Sequence, residues 1–161
     1  MNIFYLHNNP QKAATYMYNK HVVKMILESA QLLCTAHIML DGDNANVPYK
    51  MTHKNHPSAI WTRESLPNYF WVYEHMIALG KEYTKRYGKQ HLTIAKCRDI
   101  LSNPPKNLSK SDPTEIPQCM PEEFKHANPV IGYWNYYIKA KNNIVNSNEI
   151  AYNKIPNEIY E

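Results

Sequence analysis

A chain of 161 residues, 43% hydrophobic and 20% charged, has the size and composition of one globular domain with a single core. Its net charge of +4 favours an anionic partner, but that charge is too small to indicate DNA binding by itself. The three cysteines lie far apart and have no C-x-x-C spacing, which favours free thiols and a reducing cytoplasmic compartment. No apolar run approaches the ~18 residues of a membrane span, so we expect no membrane partner.

The predicted elements are helices, bounded by proline, asparagine and serine signals. A short extended segment at 1–7 precedes them, and we expect helices at 10–18, 20–40, 57–63, 68–87, 89–102 and from 129 to about 143. Asn9, Asn19, Ser65 and Asn128 are the predicted caps.

This pattern predicts an all-α fold. We expect a compact single-domain helical bundle at 1–143, with a short extended N-terminus and a long proline-rich loop, and a C-terminal tail at 144–161. Residues 103–121 form either an ordered loop or a mobile lid. A homo-oligomer is compatible with the sequence.

One polar row runs along the long helix at 20–40. Its members recur at steps of three and four residues and therefore share one side of the helix: His21, Lys24, Glu28, Gln31 and Thr35. The row either lines a site or forms an ordinary solvated face.

The stretch at 53–57, His-Lys-Asn-His-Pro, carries an unusual density of polar groups and is followed by Trp61 and Arg63. Pro57 suits the first position of a helix, which places Asn55 or His56 at the cap. Free amides at a helix start stabilise a phosphate or a carboxylate. The stretch is therefore either an anion site or a capped surface loop.

Metal-independent phosphodiester chemistry fits these residues. His21, His53 and His56 are the candidate acid and base groups, because imidazole titrates near neutral pH. Lys24, Asn55 and Arg63 would hold the phosphate, and Trp61 or Tyr69 would stack on a base. A pure binding protein would need the same cations. No Walker, G-x-G-x-x-G or G-x-S-x-G motif is present, and we predict no metal and no cofactor.

Several motifs resemble a family of short proteins of tailed bacteriophages, over roughly residues 1–140. They are N-I-F at the start, K-H-V-V-K-M at 20–25, E-S-A-Q-L-L at 28–33, H-K-N-H-P at 53–57, W-x-R-E-S at 61–65 and N-Y-x-W at 68–71. The resemblance implies a host-cell cytoplasmic location, without a defined chemistry.

The order of Glu28, the N-H-P run at 55–57 and R-Y-G at 86–88 also resembles the pyrimidine dimer DNA glycosylases of the endonuclease V type, which are small helical proteins. The closing Y-W-N-Y-Y-I-K-A-K at 133–141 is similar to their aromatic and basic C-terminus. This resemblance implies that Glu28 is a catalytic carboxylate. It also implies that the amine exposed by removal of the initiator methionine attacks the sugar.

Asn2 is too large for ready removal of that methionine, which favours reuse of the fold. We therefore predict a phage protein that neutralises a small nucleotide signal of host immunity, such as a cyclic dinucleotide or cyclic ADP-ribose, by cleavage or sequestration. The alternatives are a DNA glycosylase that acts on damaged or modified pyrimidines, with DNA as its partner, and a structural or partner-binding protein.

Overall fold

A computed structural model describes residues 2–161 and contains six α-helices with no β-strand in that range. The helices are α1 (Pro10–Thr15), α2 (Asn19–Asp41), α3 (Pro57–Thr62), α4 (Leu66–Tyr87), α5 (Leu92–Leu101) and α6 (Pro129–Ala140). Short 3-10 turns occur at Gly42–Asn44, Glu122–Phe124, Asn142–Ile144 and Asn157–Tyr160. The prediction of an all-α fold is confirmed.

Most predicted helix starts form as expected. The side chains of Asn9, Ser65 and Asn128 each accept a hydrogen bond from the first turn of α1, α4 and α6, and a proline follows within two residues. Gly88 ends α4 with φ 75°, a backbone conformation that glycine adopts without steric cost.

Asn19 does not cap α2. The helix begins at Asn19 itself, and the side-chain oxygen of Asn19 accepts a hydrogen bond from Nη1 of Arg86 at 2.9 Å. The backbone N–H of Asn19 instead donates to Oε2 of Glu149 at 2.7 Å. A carboxylate from the far end of the chain thus satisfies the start of α2, where the helix dipole favours negative charge.

α2 is the central helix and contacts α3, α4 and α5, while α1 packs on α4. Its buried face includes Val22, Ile26 and Leu33, and α4 buries Val72, Met76 and Leu79. Full burial of such a side chain stabilises the fold by about 1.5–3 kcal/mol.

The segment Asn19–Asn44 is long and apolar enough to cross a membrane by length and composition, contrary to our expectation from the sequence. The fold buries 61% of the apolar 18-residue stretch within this segment. The same test is passed by the core helix of a soluble protein, and α2 occupies that position here.

The proline-rich segment at 103–121 lies across α3 and α4. The carbonyl oxygen of Thr114 accepts a 2.9 Å hydrogen bond from Nε1 of Trp61, and the Thr114 hydroxyl oxygen accepts a 2.8 Å bond from Nδ2 of Asn68. Earlier in the segment, Asp41 accepts from the backbone N–H of Lys106 at 2.9 Å. These bonds describe an ordered loop that is held at Lys106 and at Thr114.

Residues after Asn143 pack against the core. The backbone N–H of Tyr152 donates to the hydroxyl of Tyr18 at 3.0 Å, and the Tyr152 hydroxyl donates to the carbonyl of Tyr16 at 2.9 Å. Ile144, Ile155 and other apolar side chains of this segment contact the buried cluster. The domain boundary at 143 stays a prediction.

Candidate active site

A cavity of about 240 Å³ lies where the N-terminal segment, α2 and the end of α6 meet, and we call it the amino-terminal cavity. Its lining residues are Asn2, Phe4, His21, Lys24, Met25, Glu28, Tyr136 and Lys141. The cavity therefore combines two cations, one carboxylate and an imidazole. Three of its residues belong to the polar row predicted on α2.

Asn2 is fixed at the wall of this cavity by Cys119, in the segment before α6, and by Tyr133 of α6. Its Nδ2 donates to the carbonyl of Cys119 at 2.9 Å, and its Oδ1 lies 3.2 Å from the hydroxyl of Tyr133. The Tyr133 hydroxyl also donates to the carbonyl of Pro117 at 2.6 Å. Burial raises the pKa of Tyr133, so this hydroxyl stays protonated and can donate. Asn2 is thus held in one position.

Glu28 and Lys24 lie one turn apart on α2. Nζ of Lys24 is 3.7 Å from Oε2 of Glu28, and the exposed fractions of the two side chains are 71% and 13%. A pair at this spacing contributes only about 0.3–0.5 kcal/mol to helix stability. The pair also places a largely buried carboxylate beside an ammonium group that is exposed to solvent.

His21 is held by aromatic contacts. Its ring stacks on Phe4 with the centroids 4.2 Å apart, and Nδ1 lies 2.9 Å from the hydroxyl of Tyr137. That hydroxyl accepts a 2.8 Å bond from the backbone N–H of Tyr18, which favours donation of its own hydrogen to Nδ1 of His21.

Burial, together with the charges of Lys141 and Lys24, lowers the pKa of His21 to about 4. His21 is therefore uncharged at neutral pH, and the hydroxyl contact favours the tautomer with hydrogen on Nε2. It offers the cavity a neutral hydrogen-bond donor. Its proposed role in proton transfer stays a prediction.

The stretch at 53–57 lies beside the amino-terminal cavity rather than in its wall. His53 is exposed, has φ 49° and places Nδ1 2.7 Å from the Thr52 hydroxyl. Lys54 and Asn55 are exposed as well. Thr52, the residue before His53, is held by Thr35 on α2. The Thr35 hydroxyl donates to the carbonyl of Thr52 at 3.2 Å and accepts from the N–H of Thr52 at 3.1 Å.

His56 is the N-cap of α3, as the sequence predicts. Its Nδ1 accepts a 3.0 Å hydrogen bond from the N–H of Ser58, so this nitrogen is occupied. Burial lowers the pKa of His56, and the neighbouring His53 contributes in the same direction. The hydroxyl of Ser58 lies 3.7 Å from Sγ of Cys119, whose carbonyl holds Asn2. Cys119 thus contacts both Ser58, which follows the histidine stretch, and Asn2 in the cavity wall.

Trp61 and Tyr69 are core residues. Trp61 is 3% exposed, and its ring nitrogen is engaged by Thr114. Tyr69 is fully buried, and its hydroxyl donates to the carbonyl of Leu101 at 2.8 Å and lies 2.9 Å from Nε2 of His37. Neither ring presents a free face on which a base could stack, contrary to the sequence interpretation.

Arg63 is the C-cap residue that follows α3, and it is half-buried. Its Nη1 is buried without a hydrogen-bond partner among the described residues, and burial lowers its pKa. It does not line the amino-terminal cavity. Its role in holding phosphate stays a prediction, as do those of His53, Asn55 and His56.

Sequence reasoning missed Asn2, Phe4 and Tyr136 as lining residues. All three reach the cavity through contacts between segments far apart in the chain. The resemblance contained the signal for two of them, because it draws attention to the amino terminus and to the aromatic C-terminal helix. Lys141, the last residue of the aromatic and basic sequence at 133–141, also lines the cavity.

No three His, Cys, Asp or Glu side chains within residues 2–161 are grouped so that they could hold a metal ion. The amino-terminal cavity offers one carboxylate and one imidazole, accompanied by two ammonium groups that would repel a cation. Its chemistry suits an anionic ligand.

A family model described as pyrimidine dimer DNA glycosylase matches residues 1–95 of the chain. The matched part contains the N-terminal segment, α1 to α4 and the start of α5, and with them Asn2, His21, Lys24 and Glu28. No curated protein and no solved structure matches.

Proposed function

Since the chain belongs to the pyrimidine dimer DNA glycosylase family, we propose that it removes a damaged or modified pyrimidine base from DNA at the amino-terminal cavity. Membership in a family of DNA glycosylases makes the chain an enzyme with DNA as its partner. The proposal adds the location of the chemistry and the roles of individual residues.

The family membership overturns the prediction that this chain neutralises a cyclic dinucleotide or cyclic ADP-ribose signal. Histidine-based phosphodiester cleavage has no support either. The only histidine of the predicted set in the cavity wall is His21, and its lowered pKa of about 4 leaves it a weak base. Glycosidic bond cleavage needs a nucleophile and a carboxylate, which fits the cavity better.

One observation carries the proposal: Asn2 and Glu28 line the same cavity. Attack by an amine at the start of the chain, which the resemblance implies, requires a group that exchanges protons at that place. The carboxylate of Glu28 is the acidic side chain in the cavity wall.

In the proposed reaction the free amine forms a bond to C1′ of the sugar while the bond from C1′ to the base breaks. The base leaves with the bonding electrons and takes a proton from solvent water, and Glu28 takes the proton that the amine loses. The amine belongs to Met1, which lies outside the described residues, or to Asn2 if that methionine is removed.

The cations of the cavity fit a DNA backbone. Lys24 is 71% exposed, so its ammonium group can reach a phosphate beside the reacting sugar. Lys141 lies on the opposite element, at the end of α6, with Nζ 4.9 Å from the centre of the Tyr136 ring. Two phosphate contacts of this kind make binding weaken as salt rises.

The proposal is tested by cleavage of the glycosidic bond, detected as an alkali-sensitive strand break, in a duplex oligonucleotide that contains a cyclobutane pyrimidine dimer, with EDTA present and an undamaged duplex as control. Duplexes with other damaged or modified pyrimidines complete the panel. We expect strand breaks at the dimer with the wild-type chain and a loss of about 100-fold or more in the cleavage rate of Glu28→Gln.

The matched control is Glu74→Gln, which removes an exposed carboxylate from α4 and should keep wild-type activity. Full activity of Glu28→Gln would reject the assignment of the site. Absence of glycosidic bond cleavage at every damaged or modified pyrimidine in the panel would reject the function.

A further inference from the structure

A second, larger cavity lies between α4 and α5, and we call it the α4–α5 groove. Its volume is about 460 Å³, and it is lined by Ile77, Gly80, Lys81, Thr84, Lys85, Gln90, Ile94 and Arg98. It shares no residue with the amino-terminal cavity. Ile77, Lys81 and Lys85 recur every four residues and lie on the face of α4 opposite the buried Val72, Met76 and Leu79.

The floor of this groove is aliphatic. A Cβ at Gly80 would lie 2.7 Å from Cγ1 of Ile94, so the missing side chain lets α5 approach α4 closely. Ile77 is half-buried beside this contact. The floor offers apolar contact but no aromatic face.

The rim of the groove is positively charged. Lys81, Lys85 and Arg98 line it, and no carboxylate does. Within residues 2–161, neither Lys81 nor Lys85 belongs to an ion pair. Glu82, next to Lys81 in the chain, pairs with Arg86 at 3.6 Å and lines a smaller cavity together with Lys81 and Lys85. The two lysines are therefore available to an anionic partner.

The groove continues along α4. Two smaller cavities of about 170 and 220 Å³ adjoin it, and both include Lys81 and Gln11 of α1. One of the two also has Glu74 in its wall. A surface of this length fits an extended chain better than a compact small molecule.

We propose that the α4–α5 groove binds an acidic segment of a partner protein, with an apolar side chain of that segment on Ile77 and Ile94. Carboxylates flanking the apolar anchor then meet Lys81, Lys85 and Arg98. The positive rim favours an acidic partner, and the apolar floor receives the anchoring side chain of that partner. The proposal is independent of the reaction at the amino-terminal cavity.

Nucleic acid fits this surface less well. Proteins that bind single strands stack the bases on aromatic rings, whereas the floor here is aliphatic. A duplex backbone presents phosphates without an apolar group that would fill the cavity.

The test is fluorescence anisotropy of a short labelled peptide in which Asp and Glu flank Phe and Leu, titrated with the full chain. Two matched peptides replace either the acidic residues by Asn and Gln or the apolar residues by Ser. We expect binding of the first peptide, and affinity weaker by about tenfold or more for each matched peptide. The double variant Lys81→Glu/Lys85→Glu should lose binding to a similar extent.

The control variant is Lys110→Glu, which makes the same charge change at an exposed lysine of the proline-rich segment. It should bind the peptide like the wild-type chain, and thermal melting should show that all variants fold. Equal binding of all three peptides, or no binding of the acidic one, would overturn the proposal. A loss of duplex DNA affinity in Lys81→Glu/Lys85→Glu, with peptide binding retained, would reassign the groove to nucleic acid.

Discussion

The side-chain amide of Asn2 donates a 2.9 Å hydrogen bond to the carbonyl oxygen of Cys119, a residue 117 positions further along the chain. This bond brings the amino-terminal segment to the cavity wall that also contains Glu28. In the proposed glycosylase, the position of the attacking amine depends on this long-range contact and on the Tyr133 hydroxyl beside it.

Tyr133→Phe should therefore lower both stability and activity. The change removes the hydroxyl that donates to the carbonyl of Pro117 and lies beside Asn2, and leaves buried polar groups without a partner. We expect a loss of about 1–3 kcal/mol in the free energy of unfolding, measured by urea denaturation, together with slower glycosidic bond cleavage. Tyr160→Phe, at a 64% exposed tyrosine, should change neither quantity. Wild-type behaviour of Tyr133→Phe would show that the hydroxyl does not position the amino terminus.

His21 should make the fold sensitive to acid. Its pKa falls from 6.5 to about 4 on folding, so between these pH values the unfolded chain binds a proton that the folded chain does not. Stability from His21 is thus fully present above pH 6.5 and is lost as the pH falls towards 4, by about 3 kcal/mol in total. His75, whose pKa burial lowers to about 3, adds to the same trend.

Urea denaturation of His21→Gln between pH 4 and 8 checks this prediction. The variant should show a shallower fall in stability than the wild-type chain, because only the contribution of His75 and other groups remains. An unchanged slope would place the His21 pKa near its ordinary value.

Trp61→Phe should affect the fold more than DNA binding. Trp61 holds the proline-rich segment through the carbonyl of Thr114, and loss of this bond should cost about 1–2 kcal/mol and expose residues 103–121 to proteolysis. The dissociation constant for duplex DNA should stay within about twofold of the wild-type value. A large loss of DNA affinity at unchanged stability would indicate that Trp61 stacks on a base.

Glu149→Ala should destabilise the start of α2. The Glu149 carboxylate accepts from the Asn19 N–H at 2.7 Å and takes the place of a side-chain cap, which is worth about 1 kcal/mol. Glu158→Ala, at an exposed position of the same segment, serves as the control and should leave the denaturation midpoint unchanged. Equal stability of the two variants would mean that residues after 143 contribute little to the domain.

The sequence predicts the helices well, because each of them depends on spacing and capping within a short stretch. α2 was expected at 20–40 and spans Asn19–Asp41, and α4 was expected at 68–87 and spans Leu66–Tyr87. The predicted cap at Asn19 is wrong, because Arg86 from α4 engages its side chain and Glu149 supplies the carboxylate. Neither partner is close in sequence.

The sequence predicts only those residues of the candidate site that lie close to one another in the chain. His21, Lys24 and Glu28 share one face of α2 because of helical periodicity, whereas Asn2 and Tyr136 join them through tertiary contacts. Trp61 and Tyr69 were assigned to a ligand because amphipathic aromatic residues occur both in cores and at binding surfaces. Only the packing shows that these two are buried.

The most direct measurement is borohydride trapping of the full chain on a duplex that contains a cyclobutane pyrimidine dimer, followed by peptide mass spectrometry. An amine nucleophile forms an imine with the opened sugar, and borohydride reduces this imine to a stable covalent bond. The account predicts a crosslink on the α-amine of Met1 or Asn2, strongly reduced in Glu28→Gln and retained in Glu74→Gln. A crosslink on a lysine elsewhere in the chain, or glycosidic bond cleavage without any crosslink, would contradict it.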